Sequence, residues 1–385
     1  MKKQLGAVAL LAGTAIGSGM LSLPLVLARY GVWFSCLLML AFVWVAYFSS
    51  VIRAELNIHS RADYALKDVG LHYSGKIASQ IGSISLKLLS YSLIAAYLHG
   101  LAALLNVFWD VEAKFIITAI AGITMILLYF SNNLIEKINK ILFIILISAF
   151  ILVTLGLLVK SGMTSAKIPD TQELTIHSFA AALPIVFTSF GFQGSLHSLT
   201  KFVDNDRKLI TRACLFGSII PAIVYIIWIC STILIIYNGN PDLFERMANG
   251  HVEISEMIMC LSSISGLSHL KIMFWSISLL AIATSIIGVG IAVFDEWNVK
   301  LGKAISSAIT VVPSALLAIF VPNAFIKILG VSGMILVVLA IFLPVFLYYK
   351  MFKNGNSAIS FSQTKMCGCV ALTLIGIVIF IAEFL

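Results

Sequence analysis

Two interrupted apolar stretches decide the fold of this chain: Gly13-Thr-Ala-Ile-Gly-Ser-Gly19 and, about 175 residues later, Thr188-Ser-Phe-Gly-Phe-Gln-Gly194. Each places glycines and small polar residues inside a segment apolar enough to cross a membrane. A helix broken in hydrocarbon leaves backbone N–H and C=O groups that persist only where protein, solute or ions satisfy them. The paired interruptions therefore predict a substrate site, although each glycine set taken alone also suits close helix packing.

Composition places the chain among polytopic membrane proteins. Of its 385 residues, 60% are hydrophobic and 11% are charged, and its mean hydropathy is +1.05, which excludes a soluble domain. A bilayer-spanning helix needs about 20 apolar residues. Eleven spans are predicted from the stretches without Asp, Glu, Lys or Arg: 4–28, 30–52, 88–109, 115–135, 141–159, 174–200, 213–241, 272–294, 304–326, 328–349 and 366–382.

The sequence predicts an all-α fold in one integral membrane domain, residues 1–385, with an internal repeat. The interrupted spans are the first and the sixth, so five helices separate equivalent features. An odd repeat inserts its second copy upside down, which produces a five-plus-five inverted repeat. We expect repeat one at about 4–160, repeat two at about 174–350 and an extra helix at about 366–384.

The distribution of basic residues predicts the orientation. With the N-terminus in the cytoplasm, the predicted cytoplasmic segments hold 17 of the 25 Lys and Arg residues. This bias predicts a cytoplasmic N-terminus and a periplasmic C-terminus. Topology and anionic lipid account for the net charge of +8 without a nucleic-acid partner. Short loops and the lack of an Asn-x-Ser/Thr sequon favour a bacterial inner membrane.

The longest connections are predicted at 53–76 on the cytoplasmic side and at about 238–271 outside. The outer connection contains Asn238-Gly-Asn-Pro241 and then an apolar stretch, 254–267, that is too short for a full span and contains Glu256. We interpret this stretch as an external helical lid that lies along the membrane.

The chemistry of the interruptions suits a zwitterionic amino acid. The half-helix that starts near Gly17 to Met20 offers free N–H groups and a positive dipole end to a carboxylate. Carbonyls at the second interruption can accept from an ammonium group, and aromatic residues nearby, including Phe187 and Tyr97, can pack as a wall or simply as core. The predicted substrate-binding residues are Thr14, Ala15, Gly17, Ser18, Gly19, Met20, Tyr91, Ser189, Phe190, Gly191, Phe192 and Gln193.

Three motifs carry a resemblance to a known family. They run Leu5-Gly-Ala-Val-Ala-Leu-Leu-Ala-Gly-Thr-Ala-Ile-Gly-Ser-Gly-Met-Leu-Ser-Leu-Pro24, Ala182-Leu-Pro-Ile-Val-Phe-Thr-Ser-Phe-Gly-Phe-Gln-Gly-Ser195 and Ala281-Ile-Ala-Thr-Ser-Ile-Ile-Gly-Val-Gly-Ile-Ala-Val-Phe-Asp295. Together they resemble the hydroxy and aromatic amino-acid permeases, with the strongest likeness to the bacterial tyrosine-specific and tryptophan permeases.

The resemblance implies eleven spans, a leucine-transporter-type core, and proton-coupled import of an aromatic amino acid, with tyrosine favoured over tryptophan and phenylalanine. The chain departs from the family at Gln193, where relatives carry His, and near His197, where they carry Pro. His197 is either a packed or pore-facing residue or a proton relay. Two other functions stay open: a symporter for serine, threonine or another neutral amino acid, possibly coupled to sodium, and a sensor that binds without transporting.

The resemblance also implies a cation site between the first interruption and the eighth span. Gly13 and Ile16 would supply oxygen ligands from the interruption. Ala281, Thr284 and Ser285 would supply oxygen ligands from the eighth span. Hydroxyl groups in membrane helices also commonly bond back to their own helix. The coupling ion is expected to be H⁺, with Na⁺ as the alternative, and no cofactor or certain metal site is expected.

Lys87 is a full charge predicted about 16 Å inside a span, eleven residues beyond Lys76 at 1.5 Å per residue. Its ammonium group either snorkels to the cytoplasm or faces a cavity or a partner, which makes it a candidate proton carrier. Asp295-Glu296 is predicted at the cytoplasmic end of the eighth span, either solvated or paired as a gate with Lys or Arg of 53–76 or 201–212.

Several function classes are disfavoured. The seven histidines are scattered and no His, Asp and Glu cluster falls in the spans, so we do not expect an enzyme. The expected partners are a small amino-acid substrate and the lipid bilayer, and the chain is expected to act as a monomer.

Overall fold

The computed structural model describes residues 2–17, 19–60, 64–109, 111–130, 132–160, 168–169, 176–264, 268–321, 324–353 and 363–384. Every regular element in these ranges is helical, and seven of the helices are long and apolar enough to cross a membrane. The α-helices are α1 Lys2–Ala15, α2 Gly19–Leu27, α3 Gly31–His59, α4 Leu66–Ser74, α5 Lys76–Asn106, α6 Ala113–Tyr129, α7 Asn132–Lys160, α8 Ile176–Ser189, α9 Leu196–Phe202, α10 Arg207–Gly239, α11 Pro241–Ala248, α12 Ile254–Ile264, α13 Ser268–Leu301, α14 Lys303–Phe320, α15 Ala324–Val337, α16 Leu343–Lys353 and α17 Gln363–Ala382.

Both predicted interruptions are present. Helix α1 ends at Ala15 and α2 begins at Gly19, within the range expected for the second half-helix. Helix α8 ends at Ser189, and a short 3₁₀ turn, Gln193–Ser195, leads into α9. Each glycine costs a helix about 1 kcal/mol relative to alanine, so clustered glycines favour a break at these points.

The helices pack in two groups. Helices α1, α2, α3, α8, α9 and α10 contact one another, and α5, α6, α7, α13 and α14 form the second group. Helix α15 packs against α5 of the second group and α8 of the first. It continues through a π-helical turn, Val338–Phe342, into α16. The interrupted segments thus belong to the first group, and the first of them approaches α13 at Gly17 and α7 at Gly13.

The connections are more helical than the sequence indicated. Helix α4 lies within the predicted cytoplasmic connection. Helix α11 precedes the expected lid, and Asn240 caps the N-terminus of α11 by accepting a hydrogen bond from the backbone N–H of Leu243. The lid prediction corresponds to α12, which packs against α2, α5, α10 and α13. Helix α13 runs on to Leu301, so the prediction that Asp295-Glu296 ends this helix was wrong.

A buried carboxylate joins four helices. Sequence analysis assigned Glu55 to a connection, but it lies in α3 and is only 5% exposed. It accepts from Arg207 of α10 at 2.6 Å, Lys365 of α17 at 2.7 Å and Tyr348 of α16 at 2.8 Å. Burial of a carboxylate is costly unless cations and hydrogen bonds compensate it, and here three donors do so.

Replacement of Gly333 by alanine is expected to destabilise the packing of α15 on α8. A Cβ atom at Gly333 would lie 2.5 Å from the carbonyl carbon of Pro184, and neither backbone can yield without the two helices separating. Overpacking of this kind costs about 1–3 kcal/mol. Thermal unfolding in detergent measures the effect, and Gly122→Ala is the matched control because no atom of the described residues lies within 4 Å of its Cβ position. Equal unfolding temperatures for both variants would contradict this prediction.

Candidate functional site

The two interruptions lie side by side. The Ser189 hydroxyl, at the end of α8, is 3.3 Å from the Gly19 carbonyl oxygen at the start of α2. On the other side, the Thr14 and Ser195 hydroxyls are 3.4 Å apart and link the end of α1 to the start of α9. Two segments about 175 residues apart in sequence therefore form one local structure.

Tyr225 of α10 joins the interruptions at their centre. Its hydroxyl lies 2.7 Å from the Ala15 carbonyl oxygen and 2.6 Å from the Ser189 carbonyl oxygen. These are the last residues of α1 and α8, where helix carbonyls lack intrahelical donors. A single side chain from a third helix thus contacts both broken ends.

The first interruption also approaches α13. A Cβ atom at Gly17 would overlap the Ser285 hydroxyl and would lie 3.7 Å from the Ala281 carbonyl oxygen. The structure therefore brings Gly17 to two of the residues proposed for the cation site. Ile16 is buried, and a Cβ atom at Gly13 would lie 3.4 Å from the Phe143 ring of α7.

The hydroxyls on α13 donate to their own helix. Thr284 donates to the Leu280 carbonyl at 2.8 Å, and Ser285 donates to the Ala281 carbonyl at 2.8 Å. This is the back-bonding alternative considered from sequence. It uses the hydroxyl protons, and hydroxyl oxygens are among the ligands that a hard cation binds.

The aromatic residues at the second interruption are tightly packed. Phe190 is fully buried and contacts the Tyr225 ring edge-to-face, with centroids 5.5 Å apart. Phe187 packs against Phe42 of α3, with centroids 6.2 Å apart. Phe192 is also fully buried. Phe190 therefore contacts the side chain that joins the two interruptions, whereas Phe187 faces α3.

Gln193 is a buried polar residue with one unsatisfied atom. It is 2% exposed, and its Nε2 lies 3.3 Å from the Ser49 hydroxyl of α3. Among the described residues its Oε1 has no hydrogen-bond partner. A buried acceptor without a donor is costly, so a ligand or water donor would be favoured beside it.

The structure describes contacts for some of the remaining predicted residues at the interruptions and not for others. Met20 is buried, and its N–H donates to the Gly17 carbonyl oxygen at 3.2 Å. A Cβ atom at Gly191 would lie 2.8 Å from the Thr188 carbonyl oxygen. Ser18 and the side chain of His197 lie outside the described residues.

Lys87 lies in a separate cluster with Glu296. Its Nζ is 3.6 Å from Glu296 Oε1 and 4.1 Å from the centroid of the Trp297 ring. Glu296 also accepts from Ser83 at 2.7 Å and pairs with Lys67 of α4 at 3.4 Å, as the gate-pair alternative predicted. Tyr91, expected beside the substrate, accepts from the Trp297 indole at 3.0 Å and so belongs to this cluster.

Tyr225 and the pairing of Glu296 with Lys87 were not predicted from the sequence. Tyr225 sits in an ordinary apolar span, and nothing in the sequence sets it apart from the other ten tyrosines of the chain. Glu296 was recognised only as a possible gate residue, without Lys87 as its partner. The charged Lys87 inside a span was itself the signal that a buried partner was required.

Comparison with known proteins identifies the family. The family model described as the tryptophan/tyrosine permease family matches residues 1–384. The chain belongs to this family.

Named relatives of the chain are transport proteins. The tyrosine-specific transport system 1 of Haemophilus influenzae is 30% identical, covering 91% of this chain and 88% of the relative. The tryptophan-specific transport protein of the same species is 26% identical, covering 89% and 86%. The glutamine transporter 2 of Aliivibrio fischeri is 26% identical, covering 93% and 91%. This chain is therefore a multi-pass bacterial membrane protein of a permease family and not an enzyme, as the sequence predicted.

Proposed function

We propose that this permease imports an aromatic amino acid, tyrosine before tryptophan or phenylalanine, by proton symport with alternating access. The observation that carries the proposal is the meeting of the two interruptions, which Tyr225 contacts at Ala15 and Ser189. Two helix C-terminal ends offer carbonyls there, and the start of α2 offers a helix N-terminus. An ammonium group suits the former and a carboxylate suits the latter.

The proposed topology has eleven spans. They are α1 with α2, α3, α5, α6, α7, α8 with α9, α10, α13, α14, α15 with α16, and α17. The first five and the next five form the inverted repeat, with the N-terminus cytoplasmic and the C-terminus periplasmic. The matched positions of the two interruptions and the bias of Lys and Arg support this arrangement.

Proton coupling is assigned to Lys87 with Glu296. The pair joins α5 to α13, and Lys87 is 22% and Glu296 10% exposed at the side chain. Binding or release of a proton in such a pair changes the charge between α5 and α13, and α13 approaches the first interruption at Gly17. The competing sodium site would use the hydroxyls of Thr284 and Ser285 beside Gly17.

Two alternative functions differ in measurable ways. One is a symporter for serine, threonine or another neutral amino acid, and a relative named as a glutamine transporter keeps the neutral polar class open. The other is a sensor that binds an amino acid without moving it. Only flux separates a sensor from a transporter, so purified protein in liposomes is the required system.

Aromatic amino acids are expected to compete best for binding. A counterflow screen of the twenty amino acids in proteoliposomes measures this, with serine and alanine as small competitors. Aromatic stacking and burial contribute at least about 1 kcal/mol, or a factor of about five in affinity, so tyrosine, tryptophan or phenylalanine should rank above serine. A series led by serine or glutamine would move the assignment to a neutral polar substrate, and binding without counterflow would indicate a sensor.

A further inference from the structure

Tyr225 contacts two hydrogen-bond acceptors but has one proton to donate. Its side chain is fully buried, and its hydroxyl is within 2.7 Å of both the Ala15 and the Ser189 carbonyl oxygens. A phenol hydroxyl donates a single hydrogen bond and can accept others. One carbonyl oxygen therefore faces the phenol oxygen with no hydrogen between them, and within the described part of the chain the site is short of one donor.

The surroundings favour a positively charged donor. Ala15 and Ser189 are the last residues of α1 and α8, and the C-terminal end of a helix carries a partial negative charge. Both ends converge on the same hydroxyl.

We propose that Tyr225 is a recognition residue for the ammonium group of the substrate, an inference that rests on the proposed function. The phenol donates to one carbonyl, and the ammonium group donates to the other carbonyl and to the phenol oxygen. This arrangement supplies the missing donor and uses the remaining acceptor capacity of the hydroxyl. The edge-to-face contact with Phe190 fixes the ring in this position.

The test compares two ligands in two proteins. L-tyrosine and 3-(4-hydroxyphenyl)propanoate, which lacks only the amino group, are measured by competition binding to the wild type and to Tyr225→Phe. The wild type is expected to prefer tyrosine strongly. In Tyr225→Phe this preference should fall about tenfold, the factor of one hydrogen bond to a charged group, because the ammonium group loses the phenol oxygen.

Tyr348→Phe is the matched control, since it removes a buried phenol hydroxyl that donates to Glu55 at 2.8 Å. Its preference for tyrosine over the deaminated ligand should match that of the wild type. If Tyr225→Phe weakens both ligands equally, the hydroxyl is only structural and the inference is overturned. No tyrosine binding by the wild type would instead overturn the proposed function and this inference with it.

A second variant covers the case in which Tyr225→Phe does not fold. Phe190→Leu removes the ring contact that holds the phenol and keeps the hydroxyl itself. The preference for tyrosine over the deaminated ligand should again fall, and an unchanged preference in a folded Phe190→Leu protein would overturn the inference.

Discussion

Leucine at Gly17 or at Gly191 is expected to abolish amino-acid binding while the protein stays folded and inserted. In the proposed site the backbone at both glycines approaches the ligand, and a leucine side chain there would fill that space. At Gly17 the new side chain meets Ser285 of α13, and at Gly191 its Cβ lies 2.8 Å from the Thr188 carbonyl oxygen. Binding of labelled tyrosine to purified protein measures the effect.

Gly122→Leu is the control for inserting a leucine into an apolar helix, because in the part of the chain that the structure describes no atom lies within 4 Å of the Cβ position of Gly122 in α6. We expect this variant to bind tyrosine as the wild type does. Size-exclusion profiles separate a folded variant that cannot bind from one that fails to fold. Normal uptake by both interruption variants would refute a substrate site at the interruptions.

Lys87→Met is expected to separate transport from coupling. Exchange of substrate across the membrane should remain largely intact, because Lys87 lies in the cluster around Glu296 and has no recorded contact with the interruptions among the described residues. Accumulation driven by an inward pH gradient should be lost, because the charge that responds to the proton is removed. Uptake of labelled tyrosine into proteoliposomes measures both quantities.

Lys67→Met is the matched control, since it removes another ammonium group near the same carboxylate, at 3.4 Å, but from helix α4. We expect it to keep accumulation driven by the pH gradient. Unaltered pH-driven uptake in Lys87→Met would remove this lysine from the mechanism.

A sodium gradient alone tests the competing cation site. Replacing both Thr284 and Ser285 with alanine should abolish any sodium dependence, whereas Lys87→Met should retain it. Uptake that follows sodium and ignores pH would overturn the proton assignment.

The helix interruptions were predictable because their cause is local. Clustered glycines weaken a helix wherever it lies, and in both stretches the structure breaks the helix within a few residues of the predicted point. The extramembrane helices α4 and α11 were not predicted. Their segments are short and of low hydrophobicity; Asn240 caps α11, and both helices pack against their neighbours.

The residues of the site were predicted only in part. The two interruptions lie side by side in the structure, whereas Tyr91 lies in the cluster of Lys87 and Phe187 packs on α3; which of these residues bind substrate stays a prediction. A side chain's direction depends on how its helix is rotated about its axis. In a helix that is apolar on all sides, the sequence pattern does not indicate which side faces which neighbour.

The sequence by itself determined that this chain crosses a membrane, where two of its helices break, and that Lys87 needs a partner or access to water. These conclusions follow from composition and from the requirement that backbone and charged groups be satisfied in hydrocarbon. Only the tertiary structure decided that Tyr225 joins the two breaks, that Glu296 pairs with Lys87, and that Glu55 is buried among cations. Each of these contacts joins helices distant in sequence, and packing alone determines which of their residues meet.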